Sequence, residues 1–354
     1  MSFFGLGGTR RNRSRWRGWE DFSPNPPDPA ASQAGDPGPG DADDGDDDFG
    51  YSASGGRGRG WGGPAFGGGR GFGGLELHHR NFTKRIETGE EARLRIENRN
   101  GRIVVRRHDE PVVIIDVDAE IYAANQQDAD AEAQRIERGI SADGNRVNVV
   151  VPELSRPEWF FFGRGPRVDY EVRVPANTDV WAVNRNGSVS ITGTRGRARV
   201  EGRNGRTTIQ DIGGDVDIET RNGRLNIDRC EGAVKISSLN GPITVGRVRG
   251  AIEVDTKNGP VQVNEPGAGV NVKTSNGPIR VNGKVNGDYE LQASNGSVHV
   301  AVTADSRFEI DAESIRGSTR SDLPVRDRKP VEGSGPAPKV RIRTSNGSIR
   351  LTEA

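Results

Sequence analysis

One dipeptide, Asn-Gly, recurs at a fixed interval along the second half of the chain and constrains the fold more than any other feature. From Asn186 it returns every 18 residues as far as Asn276, and further copies follow at less regular spacing. Repetition at a short fixed period indicates a solenoid, in which each repeat forms one coil. The predicted corner residues are Asn186, Gly187, Asn204, Gly205, Asn222, Gly223, Asn240, Gly241, Asn258, Gly259, Asn276, Gly277, Asn295, Gly296, Asn346 and Gly347.

Aliphatic residues alternate with polar ones between these corners. In the coil that starts at Asn222, Leu225 and Ile227 form one alternating pair, and Val234 and Ile236 form a second pair after an intervening Gly. Alternation with a period of two predicts half-buried β-strands. We therefore predict two strands in each coil, separated by corners that contain Gly.

An Asn-Gly pair is also the strongest short signal for a β-hairpin turn, which is the rival interpretation. Pro242, Pro260 and Pro278 directly follow the Gly, where a hairpin needs a backbone N–H, and proline has none. The sequence therefore favours an all-β fold, a parallel β-solenoid of 18-residue coils with two strands per coil. Roughly nine coils are expected, stacked about 4.8 Å apart. Asn and Gly at the corners are expected to supply backbone conformations of positive φ.

Composition divides the chain into three regions. Residues 1–75 are rich in Gly, Arg and Asp and poor in aliphatic residues, so we predict a disordered tail. Residues 76–180 combine strand patterns with one amphipathic helix at about 126–140, and we predict a small α+β N-terminal cap. Residues 181–354 carry the solenoid repeats. A Pro- and Gly-containing loop insertion at 318–338 is expected to leave the penultimate coil.

The charge of the chain gives no bulk preference for a partner, because 50 basic residues balance 50 acidic ones. Charges of both signs occupy the predicted outward columns, which indicates a lattice of ion pairs on a solvated surface. We assign no catalytic residue to these columns. They contain Arg199, Asp217, Lys235 and Glu253 at one position of the repeat, and Arg203, Arg221 and Lys257 at another.

Motifs for metal or cofactor binding are not recognisable. The four histidines lack the spacing of a zinc site, and the acidic run at 41–48 lacks the spaced ligands of a calcium-binding loop. The single cysteine, Cys230, excludes an intramolecular disulfide. It shares an inward column with Ile212 and Val248, so we predict a buried and unreactive thiol. The chain is expected to have no cofactor.

Two segments outside the repeats could contact a partner. The run of Trp159, Phe160, Phe161 and Phe162 is either an exposed partner patch or a plug over the first coil. The segment 57–74 mixes Arg, Gly and aromatic residues, as disordered RNA-binding segments do. An acidic block lies just upstream, so a flexible linker is the favoured interpretation and nucleic acid is an unlikely partner.

The repeat resembles a known bacterial family. Units of the form N-G-x-[IV]-x-[IV] follow a block that ends in EVRVPANTDVWAVNRNG at 171–187. They are similar to β-strand-repeat proteins catalogued as the "putative adhesin" family or as domain of unknown function 4097, over roughly residues 90–354. The resemblance implies a β-solenoid fold, a role in adhesion or at the cell envelope, and no catalytic residues.

The function predicted from the sequence is that of a non-enzymatic scaffold or binding module, with a protein or glycan partner on the solenoid faces. One alternative is a carbohydrate-active β-helix enzyme, which would need paired carboxylates at a groove. A second alternative is nucleic-acid binding through the Arg- and Gly-rich tail. No apolar run reaches the length of a signal peptide or a membrane span, so the cytoplasm is the expected compartment. Envelope association is implied by the family resemblance.

Overall fold

The computed structural model describes residues 75–150, 166–323 and 337–354. The predicted tail up to residue 74 lies outside this part, and so does the aromatic run Trp159, Phe160, Phe161 and Phe162. Most of the predicted loop insertion at 318–338 also lies outside it. The described residues form two long sheets and one helix.

The first part of the described chain contains seven strands and the helix. The helix begins after Asn125, whose side chain accepts a hydrogen bond from the backbone N–H of Asp128 at 2.8 Å. It ends at Arg138 and not at residue 140, because Ile140 opens a strand. The elements are β1 Glu76–Glu87, β2 Glu91–Asn100, β3 Ile103–Arg107, β4 Val112–Ala123, α1 Gln126–Arg138, β5 Ile140–Asp143, β6 Arg146–Val150 and β7 Arg167–Val174.

The repeats then contribute one strand to each sheet in every coil. The elements are β8 Asn177–Asn186, β9 Val189–Thr192, β10 Ala198–Asn204, β11 Thr207–Ile212, β12 Val216–Asn222, β13 Leu225–Cys230, β14 Val234–Asn240, β15 Ile243–Val248, β16 Ile252–Asn258, β17 Val261–Asn264, β18 Val270–Asn276, β19 Ile279–Gly283, β20 Tyr289–Asn295, β21 Val298–Val302, β22 Glu309–Arg316, β23 Thr319–Ser321, β24 Lys339–Asn346 and β25 Ile349–Glu353. The even-numbered strands β8 to β20 thus each end at the Asn of a corner.

Equivalent strands of successive coils pair in parallel, in two sheets. Sheet A has the order β1-β4-β7-β3-β9-β11-β13-β15-β17-β19-β21-β25-β23, and sheet B has the order β22-β24-β20-β18-β16-β14-β12-β10-β8-β2-β6-β5. The register matches equivalent positions, as in Asn204 opposite Asn222. The parallel β-solenoid is therefore confirmed, and the hairpin interpretation is excluded.

The core lies between the two sheets and consists of the aliphatic columns. Leu225 and Ile227 on sheet A, and Val234 and Ile236 on sheet B, are each at most 1% exposed. Identical positions stack coil upon coil, so each buried side chain contacts its equivalents above and below as well as the facing sheet. Burial of these columns removes apolar surface from water along the whole solenoid and provides its main stabilisation.

The solenoid begins well before the predicted boundary at residue 181. Strand β2 pairs in parallel with β8, and β3 pairs in parallel with β9. Residues 91–107, which the sequence assigned to the cap, thus form the first coil. The chain leaves the stack after β3 and returns at Asn177 in register, so the period is interrupted in the sequence although the stack is continuous in space.

The excursion between the first two coils covers one end of the stack. Strands β7, β4 and β1 extend sheet A, while β6 and β5 extend sheet B, with antiparallel pairs among them. Helix α1 contacts β4, β1 and β5, and its Ala129 and Ile136 are buried. Among the described residues, no helix is both long and apolar enough to cross a membrane.

The last coil in the chain is not the last coil in space. Strand β24 lies between β20 and β22, and β25 lies between β21 and β23. Residues 309–321 therefore form the outermost coil, and the C-terminal segment inserts beneath it. The coil from which the predicted loop at 318–338 starts is therefore penultimate along the chain, as expected, but outermost in space, and residues Thr319–Ser321 form a strand. Pairing the strands across both sheets gives ten coils in the described chain, against roughly nine predicted.

Candidate functional site

The asparagines of the corners form a continuous ladder along one edge of the solenoid. Each side-chain Nδ2 donates to the Oδ1 of the Asn in the preceding coil, at 2.7 to 3.0 Å, and Asn100 accepts the first bond. The donors in spatial order are Asn186, Asn204, Asn222, Asn240, Asn258, Asn276, Asn295 and Asn346. The ladder holds neighbouring corners in register and leaves their outer surfaces to solvent.

Glycine, not asparagine, supplies the positive φ at these corners. Six of the corner glycines have φ between 122° and 151°, whereas no Asn in the described part of the chain has a positive φ. The prediction that Asn also adopts positive φ is therefore wrong, because the Asn backbone still belongs to its strand. The six glycines are Gly187, Gly205, Gly223, Gly241, Gly259 and Gly277. Gly296 and Gly347 occupy the same column, and an added Cβ at either would lie within 2.1 Å of a neighbouring carbonyl oxygen.

Arginines flank the ladder in three neighbouring coils. Arg185, Arg203 and Arg221 immediately precede the Asn, and Arg206 and Arg224 immediately follow the Gly. All five side chains are exposed, and none forms an ion pair with a carboxylate of the described residues. We call these five residues the arginine ridge.

The outward positions beside the arginine ridge hold two carboxylates against its five arginines. Glu219 lies two residues before Arg221 and is exposed. Glu201, in the adjacent outward column of sheet B, accepts a hydrogen bond from Nε of Arg199 at 2.9 Å and is thus engaged elsewhere. On the sheet A side, the adjoining outward positions hold Ser190, Thr208 and Asn226, which are uncharged. The ridge therefore keeps a local positive charge that the zero net charge of the chain conceals.

Among the described residues, the ion-pair lattice expected on the outward faces does not include Arg203 and Arg221, although both are exposed as expected for a solvated face. In sheet B, Gly202 pairs with Thr220 and Asn204 pairs with Asn222. Arg203 and Arg221 lie between these pairs, and both side chains are exposed. Lys257 occupies the same position of a later coil and is likewise exposed.

The neighbouring outward column on sheet B does contain ion pairs. Arg199 lies 3.3 Å from Asp217, and Lys235 lies 3.6 Å from Glu253. Asp217 is only 7% exposed, and this burial raises its pKa, although Arg199 opposes the shift. The column thus alternates in sign, as expected for a solvated face.

Trp181 lies at the N-terminal end of this same column, between two arginines. The guanidinium of Arg95 is 4.5 Å from the centroid of the Trp181 ring, and that of Arg199 is 5.5 Å away. These distances allow cation–π attraction on both sides of the indole. The two guanidinium groups occupy the positions at which a flat ligand would stack on the ring.

The second corner of each coil carries charged residues in an unusual backbone conformation. Asp211, Arg229, Arg247 and Glu265 have φ between 49° and 56°, which is rare for residues other than Gly. They line a groove of about 630 Å³. Arg229 binds Asp211, and this hydrogen bond lowers the pKa of the Asp211 carboxyl. Arg247 binds Asp228 through its Nε at 2.9 Å, so the charges of this groove largely neutralise one another.

Cys230 and the candidate metal ligands show no reactive geometry. Cys230 is 1% exposed, and burial raises the pKa of its thiol to about 12, which keeps it protonated at neutral pH. Within residues 75–150, 166–323 and 337–354, no group of three or more His, Cys, Asp or Glu side chains is arranged to hold a metal ion.

Comparison with known proteins identifies the fold family. The family model described as Toastrack, DUF4097, matches residues 100–352, which is most of the chain. The chain belongs to the Toastrack family. No curated protein matches it.

Three of the solved structures that match this chain come from bacteria. A "putative cell adhesion protein" from Clostridium sporogenes is 9% identical, with a TM-score of 0.20, and the match covers 78% of this chain and 100% of that chain. A "putative lipid binding protein" from Parabacteroides distasonis is 9% identical, with a TM-score of 0.39 and coverage of 76% and 96%. A "putative adhesin" from Bacteroides fragilis is 13% identical, with a TM-score of 0.32 and coverage of 77% and 97%. At these scores the neighbours' names do not transfer to this Toastrack chain.

The sequence contains a signal for the arginine ridge, which the predictions did not use as a candidate binding site. The tetrapeptide Arg-Asn-Gly-Arg occurs at 99–102, 203–206 and 221–224, once per coil in three coils. In this Toastrack chain the motif places an arginine on each side of the corner. What the sequence alone does not show is that the arginines at the second and third copies lack a carboxylate partner among the described residues.

Proposed function

We propose that this Toastrack protein is a non-enzymatic, adhesin-like binding module that holds a glycan or protein partner on the outer surface of its solenoid. The observation that carries this proposal is that equivalent positions of successive coils pair in register, so that the outward side chains form straight columns along the solenoid. Such a surface presents outward side chains at regular intervals of about 4.8 Å, which suits an extended partner that itself repeats.

The electrostatics of the surface also support binding. Ion pairs neutralise much of the sheet B face and the second corner, as in Arg199 with Asp217 and Arg249 with Glu231. The Asn-Gly corner instead exposes charge that is not compensated. A charged group that has no intramolecular partner is available to a ligand without first breaking an ion pair, and it contributes specificity and association rate.

A carbohydrate-active enzyme is the alternative function. One cluster of carboxylates provides its candidate catalytic residues. Glu201, Asp217 and Glu219 adjoin on the sheet B face, and Asp217 has a raised pKa, as a general acid would. Arg199 contacts two of these three carboxylates, which ties them to the surface ion pairs. We assign them a structural role.

Binding and turnover are separable in one experiment. The full-length protein is applied to immobilised polysaccharides and to immobilised extracellular proteins, and both retention and newly formed reducing ends are measured. We expect saturable retention on at least one surface, with no new reducing ends. Retention on none of the surfaces would contradict the binding function, and new reducing ends would contradict the non-enzymatic assignment.

The matched variant for this experiment carries Asp217→Asn and Glu219→Gln together. It removes two of the three clustered carboxylates without changing their size. We expect its retention to equal that of the wild-type protein. Loss of product formation in this variant, where the wild-type protein forms product, would establish the enzymatic alternative. Fractionation of cells that express the chain then shows whether it occurs in the cytoplasm or with the envelope.

A further inference from the structure

The arginine ridge combines three properties that define a class of ligand. Its first property is concentrated positive charge on one edge. Arg203, Arg206, Arg221 and Arg224 belong to two adjacent coils, and Arg185 belongs to the coil before them. Their guanidinium groups each carry a permanent charge and several donors in a planar fork that matches carboxylate and sulfate oxygens.

The second property is spacing. Because Asn186, Asn204 and Asn222 pair in register, the arginines beside them recur at about the strand spacing of 4.8 Å. The ridge therefore offers two straight rows of cations along the solenoid axis, one on each side of the Asn ladder. A ligand that matches this arrangement is linear and extended, with anionic groups that recur at a comparable interval.

The third property is a row of neutral hydrogen-bonding groups beside the cations. Ser190, Thr208 and Asn226 occupy successive outward positions next to the ridge on sheet A. Asn204 and Asn222 lie between the arginine rows and are exposed. Each amide uses one of its two N–H donors for the hydrogen bond to the preceding Asn, and the second N–H is left for a ligand. The remaining donors and acceptors suit the hydroxyl groups of a sugar.

We propose that the arginine ridge binds an extended acidic polysaccharide, with its carboxylate or sulfate groups on the arginines and its hydroxyl groups on the neighbouring amides and hydroxyls. This inference rests on the proposed binding function and names the ligand class. A polysaccharide with one acidic group per sugar residue presents linear, repeating charge together with many hydroxyl groups.

Single-stranded nucleic acid fits the ridge less well. Proteins that bind single strands stack the bases on aromatic side chains. The segments that form the ridge, 183–190, 202–208 and 220–226, contain no aromatic residue. Trp181 lies on the sheet face, where Arg95 and Arg199 already cover its ring. The nucleic acid therefore enters the test as a competing outcome.

The experiment measures binding of the full-length protein to four soluble polymers, namely polygalacturonate, dextran sulfate, neutral dextran and oligo-dT. The ridge variant carries Arg203→Gln, Arg221→Gln and Arg224→Gln. The control variant carries Arg138→Gln, Arg195→Gln and Arg307→Gln, which removes the same charge from exposed positions outside the Asn-Gly corners. All three proteins keep residues 1–74, so any contribution of that segment cancels in the comparison.

We expect the wild-type protein to bind at least one acidic polysaccharide and to release it as salt is raised. The ridge variant should bind at least about 10-fold more weakly, because three exposed cation–anion contacts are lost. The control variant should stay within about threefold of the wild-type protein, because it removes no contact with the polymer. Polygalacturonate and dextran sulfate separate carboxylate from sulfate recognition. Circular dichroism melts of each variant verify that the solenoid is intact.

Several results would overturn the inference. Equal losses in the ridge and control variants would mean that bulk charge, and not the ridge, drives binding. Binding of oligo-dT that matches the acidic polysaccharides would assign the ridge to another class of polyanion. If neutral dextran binds the wild-type protein and the ridge variant equally well, the proposed function holds but the arginine ridge is not the binding site. Failure to bind any polysaccharide rejects the inference, and retention on a protein surface then decides the proposed function separately.

Discussion

The guanidinium of Arg343 binds both carboxylate oxygens of Asp311, with Nη1 at 2.9 Å from Oδ1 and Nη2 at 2.6 Å from Oδ2. Asp311 lies in β22, the outermost strand of sheet B. Arg343 lies in β24, which follows β22 in the chain but lies between β22 and β20 in the sheet. Glu313 and Glu309 pair with Arg343 and Lys339 of the same two strands. A basic row on β24 thus faces an acidic row on β22, and this complementarity favours the inserted position of the C-terminal coil.

Reversing the charge of Asp311 should loosen the outermost coil. In Asp311→Lys, we expect amide hydrogen exchange to accelerate several-fold across 309–321, because β22 has a partner on one side alone in the described structure. Exchange in the central strand Ile252–Asn258 should not change. Combining Asp311→Lys with Arg343→Glu should restore slow exchange. Unchanged exchange in the single variant, measured by mass spectrometry, would show that these charges do not hold the coil.

The Asn-Gly corners should tolerate no side chain at the Gly. At Gly223 an added Cβ would lie 1.7 Å from the carbonyl oxygen of Gly205, so the corner of a whole coil would have to move. We expect Gly223→Ala to lower the free energy of unfolding by about 3 kcal/mol or more. Gly89 also has a positive φ, of 79°, but nothing lies within 4 Å of its Cβ position. Gly89→Ala should cost about 1–2 kcal/mol from backbone strain alone.

Urea unfolding of both variants, followed by circular dichroism, separates contact from strain. A larger loss in Gly223→Ala than in Gly89→Ala means that close packing of adjacent corners dominates. Equal losses would mean that the positive φ accounts for the whole effect and that the corners can move apart at little cost.

The thiol of Cys230 should be unreactive until the solenoid opens. Its raised pKa, of about 12, results from burial between the coils, and a protonated thiol is a poor nucleophile. With a chromogenic disulfide reagent at pH 8, we expect negligible reaction in the folded protein and one equivalent in guanidinium chloride. Fast stoichiometric reaction of the folded protein would show that the column containing Cys230 is accessible.

The stability of the protein should depend on the ionisation of Asp217. Burial raises its pKa above the ordinary value of 3.8, so protonation favours the folded state. This contribution is fully present below the unfolded value of the pKa and is lost as the pH rises through the folded one. Asp217→Asn removes the titration. It should raise the melting temperature at pH 7 by about 2 °C and flatten the acid branch of the pH profile.

Asp116 provides a control of opposite sign. A hydrogen bond from Thr83 lowers the pKa of Asp116, so its contribution is present above the ordinary pKa and is lost as the pH falls through the lowered one. Asp116→Asn should therefore lower the melting temperature at pH 7 and change it little in strong acid. The same direction of change in both variants at pH 7 would contradict the assigned origins of the two shifts.

Much of the fold could be predicted because its information is local. Alternation of Leu225 and Ile227 with polar residues predicts which side chains lie inside, since a strand turns successive side chains to opposite faces. The prolines after the corner Gly predicted parallel stacking. Pro242 still contributes its carbonyl oxygen, which accepts from the N–H of Leu225 at 3.0 Å, and the corner loses no required donor.

The candidate site could be predicted in part. The corner asparagines and the arginines at 203 and 221 stand out in the sequence, but their interactions depend on which way each side chain projects. Arg203 is exposed and forms no ion pair with a carboxylate of the described residues. No property of the tetrapeptide itself reveals this, because the distance from an arginine to a carboxylate depends on the packing of neighbouring coils.

The repeat pattern predicts the coil: its length, its two strands, its Gly corners and its inward columns. Each of these follows from the order of residues close in the chain, repeated at a constant period. The order of the coils at both ends depends on tertiary contacts instead. Residues 91–107 join the stack across a long excursion, and the C-terminal segment enters beneath residues 309–321. Both arrangements depend on pairing between distant strands, where every coil offers similar backbone edges and side-chain charge selects among them.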